Sequence, residues 1–194
     1  MTDITNILIV GVGGQGTILA SRVLAGAVQM TGQDVKVSEI HGMAQRGGSV
    51  VTQVRYGKEV ASPIIPEGEA DIILAFEKLE ALRWLPYLKK DGSILINDQR
   101  IDPMPVVVGT AQYPSDVLAI IKKERKEVFI INGLEKAVEA GNTKAVNVVL
   151  LGLLARCLKI DKQTWLDVIR ETVPSKLLEV NLKAFEEGWN SFDR

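Results

Sequence analysis

The sequence is poor in the residues that carry redox and metal chemistry. Its 194 residues include one cysteine, Cys157, and one histidine, His41. An iron–sulfur cluster is held by about four thiolates, and disulfides and histidine-rich metal sites also need more than one such residue. The sequence therefore excludes an iron–sulfur cluster, a disulfide and a histidine-rich metal site within this chain. Cys157 itself lies in an apolar helical pattern.

Excess charge of one sign and long apolar runs are also missing. Lys plus Arg (23) nearly balances Asp plus Glu (24), and the basic residues are scattered, so there is no electrostatic footprint for nucleic acid or an anionic membrane. The longest apolar stretch, VVLLGLL over 148–154, falls far below the ~18 residues of a membrane span. The amino-terminal MTDITN carries an acid instead of a basic targeting region. We therefore predict a cytoplasmic protein that binds neither nucleic acid nor membrane.

What the sequence does have is a glycine turn between an apolar strand and a helix. NILIVGVGGQG, residues 6–16, contains the G-x-G-x-x-G spacing of Gly11, Gly13 and Gly16. In dinucleotide-binding folds the first glycine allows the tight turn, the second lets a phosphate approach, and the third lets the helix pack on the strand. The motif leaves two interpretations open: a phosphate-containing ligand at the helix amino terminus, or a close turn that serves packing or a protein contact.

A dinucleotide site also needs an acid at the end of the second strand, about 20 residues on, to hold the ribose hydroxyls. Glu39, near the end of DVKVSEI (34–40), is the candidate, although it lies somewhat late after Gly16. The alternative is that Glu39 is a solvated strand end or a partner contact.

The most unusual stretch is HGMAQRGGSV, residues 41–50. Polar side chains stand among glycines there, so the backbone can turn freely and offer its amides to an anion or fit closely against another surface. His41 is a candidate general base, but the sequence assigns it no nucleophile or carboxylate. A hydrogen-bonded loop histidine is the alternative interpretation.

Hydrophobic patterning predicts an α/β fold. We expect a Rossmann-like three-layer sandwich in a single domain over 1–194, with a mainly parallel sheet, a hairpin insertion and a C-terminal helical segment from about residue 143. The predicted strands are 6–10, 34–40, 50–57, 70–77, 92–98, 104–109 and 127–133, with 59–66 a further extended piece or hairpin partner of 50–57. The predicted helices are one after the glycine turn and those over 78–90, 114–124, 143–158, 161–172 and 175–190.

Four segments together carry a resemblance to a known family. GVGGQGTILAS (11–21), EIHGMAQRGGSV (39–50), NVVLLG (147–152) and EVNLKAFEEGW (179–189) resemble gamma-type subunits of 2-oxoacid:ferredoxin oxidoreductases. Within that family the chain is most similar to the beta subunit of the indolepyruvate enzymes. The similarity runs from the first predicted strand to the last predicted helix.

The resemblance implies a non-thiamine subunit of an enzyme that oxidatively decarboxylates an arylpyruvate to aryl-acetyl-CoA, carbon dioxide and reduced ferredoxin. Thiamine diphosphate, magnesium and 4Fe-4S clusters would belong to a large partner subunit, and ferredoxin and coenzyme A would be used through the complex. This chain would hold no metal and no assigned catalytic residue, and it would be inactive alone; self-association of the isolated chain stays open.

By resemblance, the glycine turn and the loop from Glu39 to Ser49 lie near the partner's active site and shape access of the substrate or coenzyme A. The candidate site residues are Gly11, Gly13, Gly14, Gln15, Gly16, Thr17, Glu39, His41, Gly42, Met43, Gln45, Arg46, Gly47, Gly48 and Ser49.

Alternatives remain at the level of sequence. Pyruvate, 2-oxoglutarate and branched-chain oxoacids are alternative substrates, because nothing in the sequence shows which side chain the 2-oxoacid substrate carries. A stand-alone NAD-dependent dehydrogenase would need Glu39 on the ribose and His41 or a lysine as acid or base. A nucleotide-sensing or scaffolding protein is a third interpretation.

Overall fold

A computed structural model describes residues 4–41 and 47–192, with His41 described by its backbone alone. Its sheet has the order β2-β3-β1-β4-β5-β6. The strands are β1 (Thr5–Val12), β2 (Asp34–His41), β3 (Ser49–Gly57), β4 (Ala70–Ala75), β5 (Leu88–Asn97) and β6 (Val128–Ile131). The pairs β1–β4, β4–β5 and β5–β6 are parallel, and β3 is antiparallel to both of its neighbours.

The helices cover both faces of this sheet. They are α1 (Thr17–Met30), α2 (Lys78–Trp84), α3 (Met104–Val107), α4 (Val117–Glu124), α5 (Gly133–Ala140), α6 (Val146–Cys157), α7 (Lys162–Thr172) and α8 (Ser175–Asn190), with short 3₁₀ turns at Leu85–Tyr87 and Thr143–Ala145. Within the described ranges, none of these helices is long and apolar enough to span a membrane.

Alternation along the buried central strand divides the core into two layers. Ile7 and Ile9 of β1 pack with α1 and with the helices α5 to α8. Leu8 and Val10 point to the other face and pack with α2 and α4. Because successive side chains of a strand point to opposite faces, the apolar residues 7–10 of β1 supply both cores. The predicted three-layer α/β sandwich is confirmed.

The position of β3 was not predicted. The sequence predicts that the strands before and after α1 open a doubly wound sheet, with 59–66 as a further extended piece or the hairpin partner of 50–57. Instead β3 lies between β1 and β2, and its hairpin partner is β2. Residues 59–66 form no strand, since both edges of β3 are occupied and prolines interrupt the segment. Side chains of β3 bind this segment instead: the Gln53 side chain accepts from the Ile65 amide at 2.7 Å.

Two further predictions were wrong where proline intervenes. The helix predicted over 78–90 ends at Trp84, because Pro86 cannot donate to a continuing helix, and residues 88–90 already belong to β5. The strand predicted over 104–109 is the short helix α3, with Pro105 in its first turn, where a missing amide costs nothing.

The carboxyl-terminal half follows the predicted helices closely. The segment predicted over 143–158 contains the second 3₁₀ turn and α6, and those predicted over 161–172 and 175–190 contain α7 and α8. The amphipathic helix α5 was not named from the sequence. It begins directly after β6, where the side chain of Asn132 accepts from the Glu135 amide at 3.2 Å and caps the helix.

The crossing of α6 and α8 depends on two glycines in the family-like segments. A Cβ built on Gly188 would lie 1.8 Å from the carbonyl oxygen of Val149, and one on Gly152 would lie 2.2 Å from that of Phe185. Both neighbours are backbone atoms, which cannot move without separating the helices. The segments 147–152 and 179–189 therefore meet at a backbone-to-backbone contact that only glycine permits.

We expect Gly188→Ala to lower the free energy of unfolding by about 1–3 kcal/mol or more, as overpacking does, measured by urea denaturation. Gly26→Ala in α1 is the matched control, because its new Cβ would meet a Val168 methyl group 2.8 Å away, and a side chain can shift. Equal losses for the two variants would contradict the backbone-contact explanation.

Candidate functional site

The predicted site segments meet at one edge of the sheet. The glycine motif over 11–16 covers the carboxyl end of β1 and the turn that follows it, and Glu39 lies near the carboxyl end of β2. Because β3 runs antiparallel, its first residue lies at this same edge: Ser49 pairs with Val12 of β1. In open α/β sheets the carboxyl ends of the parallel strands are where ligands bind. The fold thus brings together the two segments that the sequence singled out separately.

Backbone hydrogen bonds join the glycine turn to the end of the glycine-rich loop. The Gly13 amide donates to the Gly48 carbonyl at 2.9 Å, and the Gly47 amide donates to the Gly13 carbonyl at 3.4 Å. The predicted site residues Gly42, Met43, Gln45 and Arg46 lie outside the described residues, as does the side chain of His41.

Gln15 folds back into the glycine turn. Its Oε1 accepts from the Val12 amide at 2.7 Å, and its Nε2 donates to the Phe76 carbonyl at 3.0 Å. A Cβ on Gly11 would lie 2.8 Å from this Oε1, so the first glycine makes room for a side chain of the protein itself. Gly14 adopts a positive φ of 102° in open space.

The third glycine contacts α6. Gly16 has a φ of 83° and precedes Thr17, the buried first residue of α1. A Cβ on Gly16 would lie 2.6 Å from the side-chain nitrogen Nδ2 of Asn147, and that nitrogen donates to the Gly16 carbonyl at 3.4 Å. Asn147 therefore makes a packing contact between the glycine turn and the C-terminal helices.

Glu39 is held by α1. Its carboxylate accepts from the Ser21 hydroxyl at 2.9 Å. Two strand spacings, about 10 Å, separate its strand from β1, since β3 lies between them. In the standard dinucleotide fold the acid-bearing strand is the direct neighbour of the first strand, so this geometry differs from that of a ribose site.

Amide side chains connect the ends of β1, β4 and β5, a feature that the sequence reasoning missed. Asn97, buried at the end of β5, donates to the Phe76 carbonyl and to the Gln99 side chain, each at 3.1 Å. Its oxygen accepts from the Gly133 amide at 3.0 Å. Gln15 donates to the same Gln99 oxygen at 3.1 Å. The network ties the glycine turn to the start of α5.

Two buried carboxylates at the start of α2 were also missed. Glu77 is 1% exposed and Glu80 is 3% exposed. Glu77 caps α2 by accepting from the Glu80 amide at 3.0 Å, and it accepts from the Tyr113 hydroxyl at 2.6 Å. The available signal was an acid at the carboxyl end of a buried strand, 70–77, which belongs at the same edge as the glycine turn.

Glu80 joins α2 to the glycine-rich loop. It accepts from the Ser49 hydroxyl at 2.5 Å and pairs with Arg83 at 2.9 Å. Burial raises the pKa of Glu80 above its ordinary value, while the Ser49 hydrogen bond and the Arg83 charge act in the opposite direction. Burial and the hydrogen bond to the Glu77 carboxylate likewise raise the pKa of Tyr113.

A cleft of about 560 Å³ lies beside these carboxylates. Its lining is mainly apolar, and it comes from three parts of the chain: the end of the glycine-rich loop, α2 and the segment 103–114. The lining residues are Gly47, Gly48, Ser49, Leu79, Arg83, Pro103, Met104, Pro105, Val106, Ala111, Gln112 and Pro114. Met104 is 64% exposed at its rim.

The chain's own residues do not fit the cofactors that the resemblance implies. One cysteine does not supply the roughly four thiolates of a cluster. In residues 4–41 and 47–192, no three His, Cys, Asp or Glu side chains are grouped to hold a metal ion.

Comparison with known proteins places these features in a family. The family model for pyruvate ferredoxin/flavodoxin oxidoreductase matches residues 6–191. The indolepyruvate oxidoreductase subunit IorB of Pyrococcus horikoshii is 44% identical, over 94% of this chain and 93% of the relative. The corresponding subunit of Methanothermobacter thermautotrophicus is 38% identical, over 96% of each chain.

Solved structures give the same fold. The gamma subunit of a keto/oxoacid ferredoxin oxidoreductase from Geobacter sulfurreducens superposes with a TM-score of 0.70 at 25% identity, over 96% of this chain and 97% of that one. A 2-oxoglutarate:ferredoxin oxidoreductase from Magnetococcus marinus gives a TM-score of 0.75 at 21% identity. The match covers 98% of this chain and 31% of that chain, so the same fold also occurs as part of a longer polypeptide.

We expect Gln15→Ala to lower the free energy of unfolding by about 1–3 kcal/mol, because the Val12 amide and Phe76 carbonyl lose their side-chain partner. Urea denaturation would measure the loss. Gln29→Ala is the control, since Gln29 is an exposed residue of α1. If both variants are as stable as the parent, the Gln15 contacts contribute nothing to the turn.

Glu80→Gln should become more stable relative to the parent protein as pH rises. A carboxyl whose folded pKa lies above its unfolded pKa binds its proton more tightly in the folded state, so the parent loses stability as pH rises through that interval. The variant has no such titration. Urea unfolding at several pH values between about 4 and 7 measures the difference, with exposed Glu59→Gln as the control. A difference that stays constant with pH would refute the prediction.

Proposed function

The chain belongs to the pyruvate ferredoxin/flavodoxin oxidoreductase family, and we propose that it is the non-thiamine subunit of an oxidoreductase that acts on indolepyruvate or another arylpyruvate. The supporting observation is the similarity to indolepyruvate oxidoreductase subunits at 38% to 44% identity over at least 94% of the chain. The common gamma subunit of the pyruvate and ketoisovalerate enzymes of Pyrococcus furiosus is 25% identical, which favours the arylpyruvate class over those substrates.

In the proposed reaction, the bond between the carboxylate and the keto carbon of the arylpyruvate breaks, and carbon dioxide leaves. The remaining acyl group forms a thioester with the sulfur of coenzyme A, the thiol proton is released to solvent, and the two electrons pass to ferredoxin. Thiamine diphosphate with magnesium supplies the carbanion chemistry and the 4Fe-4S clusters carry the electrons, both on the large partner subunit. One cysteine and one histidine in this chain support that division of labour.

The proposed contribution of this chain is a surface at the carboxyl edge of its sheet. The glycine turn, the loop from Glu39 to Ser49 and the cleft beside them would face the partner's active site and shape access of the substrate or coenzyme A. Support comes from the backbone contacts between Gly13 and residues 47–48, because they make the turn and the end of the loop one continuous surface. We propose the same role for the remaining loop candidates, which are His41, Gly42, Met43, Gln45 and Arg46.

An assembly with a large subunit is supported by the longer homologous chains. This fold accounts for 31% of the Magnetococcus protein, and a 28% identical region accounts for 35% of ketoisovalerate oxidoreductase subunit VorA of Methanothermobacter marburgensis. Where the fold is part of a longer chain, it is covalently held beside other domains. The indolepyruvate oxidoreductase subunits are matched over 93% to 96% of their own length, so in proteins of that length the same arrangement would need a non-covalent interface.

We expect the isolated chain to bind no iron and to reduce no ferredoxin, whereas the complex that it forms when co-expressed with its large subunit should contain iron and reduce ferredoxin. Native mass spectrometry, iron and thiamine analysis, and coenzyme A-dependent ferredoxin reduction would measure this.

In the complex, kcat/KM for indolepyruvate should exceed that for pyruvate, 2-oxoglutarate and 2-oxoisovalerate by about tenfold or more, because differences in side-chain binding separate substrates on that scale.

The outcomes separate the alternatives. Efficient turnover of pyruvate or a branched-chain oxoacid with none of indolepyruvate would overturn the substrate but keep the subunit role. An iron-free chain that oxidises a substrate with NAD and without a partner would overturn both, and loss of that activity in Glu39→Ala would then identify a dehydrogenase.

A further inference from the structure

The first turn of α2 lies between the two walls of the cleft and contacts both through buried carboxylates. On one side, Glu80 accepts from the hydroxyl of Ser49 at 2.5 Å. Ser49 is the first residue of β3, directly after the loop glycines that contact Gly13. This hydrogen bond fixes the end of the glycine-rich loop relative to α2.

On the other side, Glu77 holds the segment that follows β5. Its Oε1 accepts from the Tyr113 hydroxyl at 2.6 Å and from the Ile101 amide at 3.3 Å. These two donors flank the segment 103–112, which supplies Met104 and Gln112 to the cleft. The Glu77 carboxylate therefore binds both ends of the segment 101–114, which forms the second wall of the cleft.

The two carboxylates are also linked to each other. The amide of Glu80 donates to Oε2 of Glu77 at 3.0 Å, as the amino-terminal cap of a helix of seven residues. Charge-assisted hydrogen bonds are shorter and stronger than neutral ones, and a buried carboxylate that loses a partner carries a large desolvation cost. The resulting chain runs from Ser49 through Glu80 and Glu77 to Tyr113.

We propose that Glu77 and Glu80 are positioning residues that hold the two walls of the cleft at a fixed separation. This separation sets how the end of the glycine-rich loop and the segment 101–114 meet the partner's active site in the assembled enzyme. That part of the inference rests on the proposed function. The carboxylates touch no substrate in this role. They act through the Ser49 and Tyr113 hydroxyls, each of which belongs to one wall.

The experiment uses substitutions that remove one hydroxyl each. Ser49→Ala breaks the link to Glu80, and Tyr113→Phe breaks the link to Glu77, while both keep the carboxylates and the apolar parts of the side chains. Ser38→Ala on β2 and Tyr87→Phe in the first 3₁₀ turn are the matched controls. Ser49→Thr keeps a hydroxyl and tests for rescue.

The first readout is amide hydrogen exchange in the isolated chain. Ser49→Ala should speed exchange at Gly13 and Gly47, and Tyr113→Phe should speed exchange at Ile101, by about tenfold or more, the scale of losing a hydrogen bond to a charged group. Core amides of β1 and β4 should not change, and Ser49→Thr should restore the parent rates. Unchanged exchange at Gly13, Gly47 and Ile101 overturns the positioning role, whatever the function of the complex.

The second readout is steady-state kinetics of the complex with its large subunit. Both variants should raise KM for the 2-oxoacid or for coenzyme A by about tenfold, with kcat within about twofold of the parent, and iron and thiamine contents unchanged. Faster exchange with unchanged KM overturns the effect on the reaction. Failure of the parent chain to assemble with any large subunit overturns the proposed function instead, and the exchange result still decides whether the carboxylates hold the walls.

Discussion

The antiparallel placement of β3 between β1 and β2 is the constraint on which the candidate site depends. The register that pairs Ser49 with Val12 carries the chain from the end of the glycine-rich loop directly onto the glycine turn. A one-residue change of register would reverse which face every β3 side chain occupies, and it would displace the Ser49 hydroxyl from Glu80. The contacts of Gly13 with residues 47–48, the cleft and the chain of buried carboxylates all depend on this pairing.

The surroundings of the glycine turn show how a G-x-G-x-x-G motif can serve a different purpose from dinucleotide binding. Gly11 and Gly16 are needed for close approach, but the groups that approach are the side chains of Gln15 and Asn147. The amide cluster of Gln15, Asn97 and Gln99 joins the ends of the strands from within the protein. The motif therefore predicts backbone geometry reliably and leaves the identity of the neighbouring group to the tertiary structure.

Local patterns in the sequence were sufficient for much of the fold. The glycine turn, the first helix and the three C-terminal helices follow from residue periodicity and capping, which are short-range properties. The pairing of β3 and the loss of strand structure over 59–66 depend on contacts between distant residues, which periodicity does not encode. Proline placement explains the early end of α2 and the helical α3, and both features were readable at Pro86 and Pro105.

The candidate site was predictable only in part for the same reason. Glycines and loop polarity identified 11–17 and 47–49, and the fold brings these segments together. Glu77 ends the predicted strand 70–77 and Glu80 lies in the predicted helix 78–90, and no local pattern distinguishes either of them from an exposed acid. Their burial arises from the way Ser49, Tyr113 and Arg83 close over them.

The buried carboxylates are costly to stability in isolation, and that cost bears on association. An ionised group removed from water stays in place only if fixed donors replace the water, and these donors come from the two walls of the cleft. Order in the walls is thus obtained when the chain folds. A surface that is already ordered loses less conformational entropy on docking than a mobile one. The proposed role beside a partner's active site would need such an ordered surface, because the effect of this surface on that site would depend on where its atoms are held.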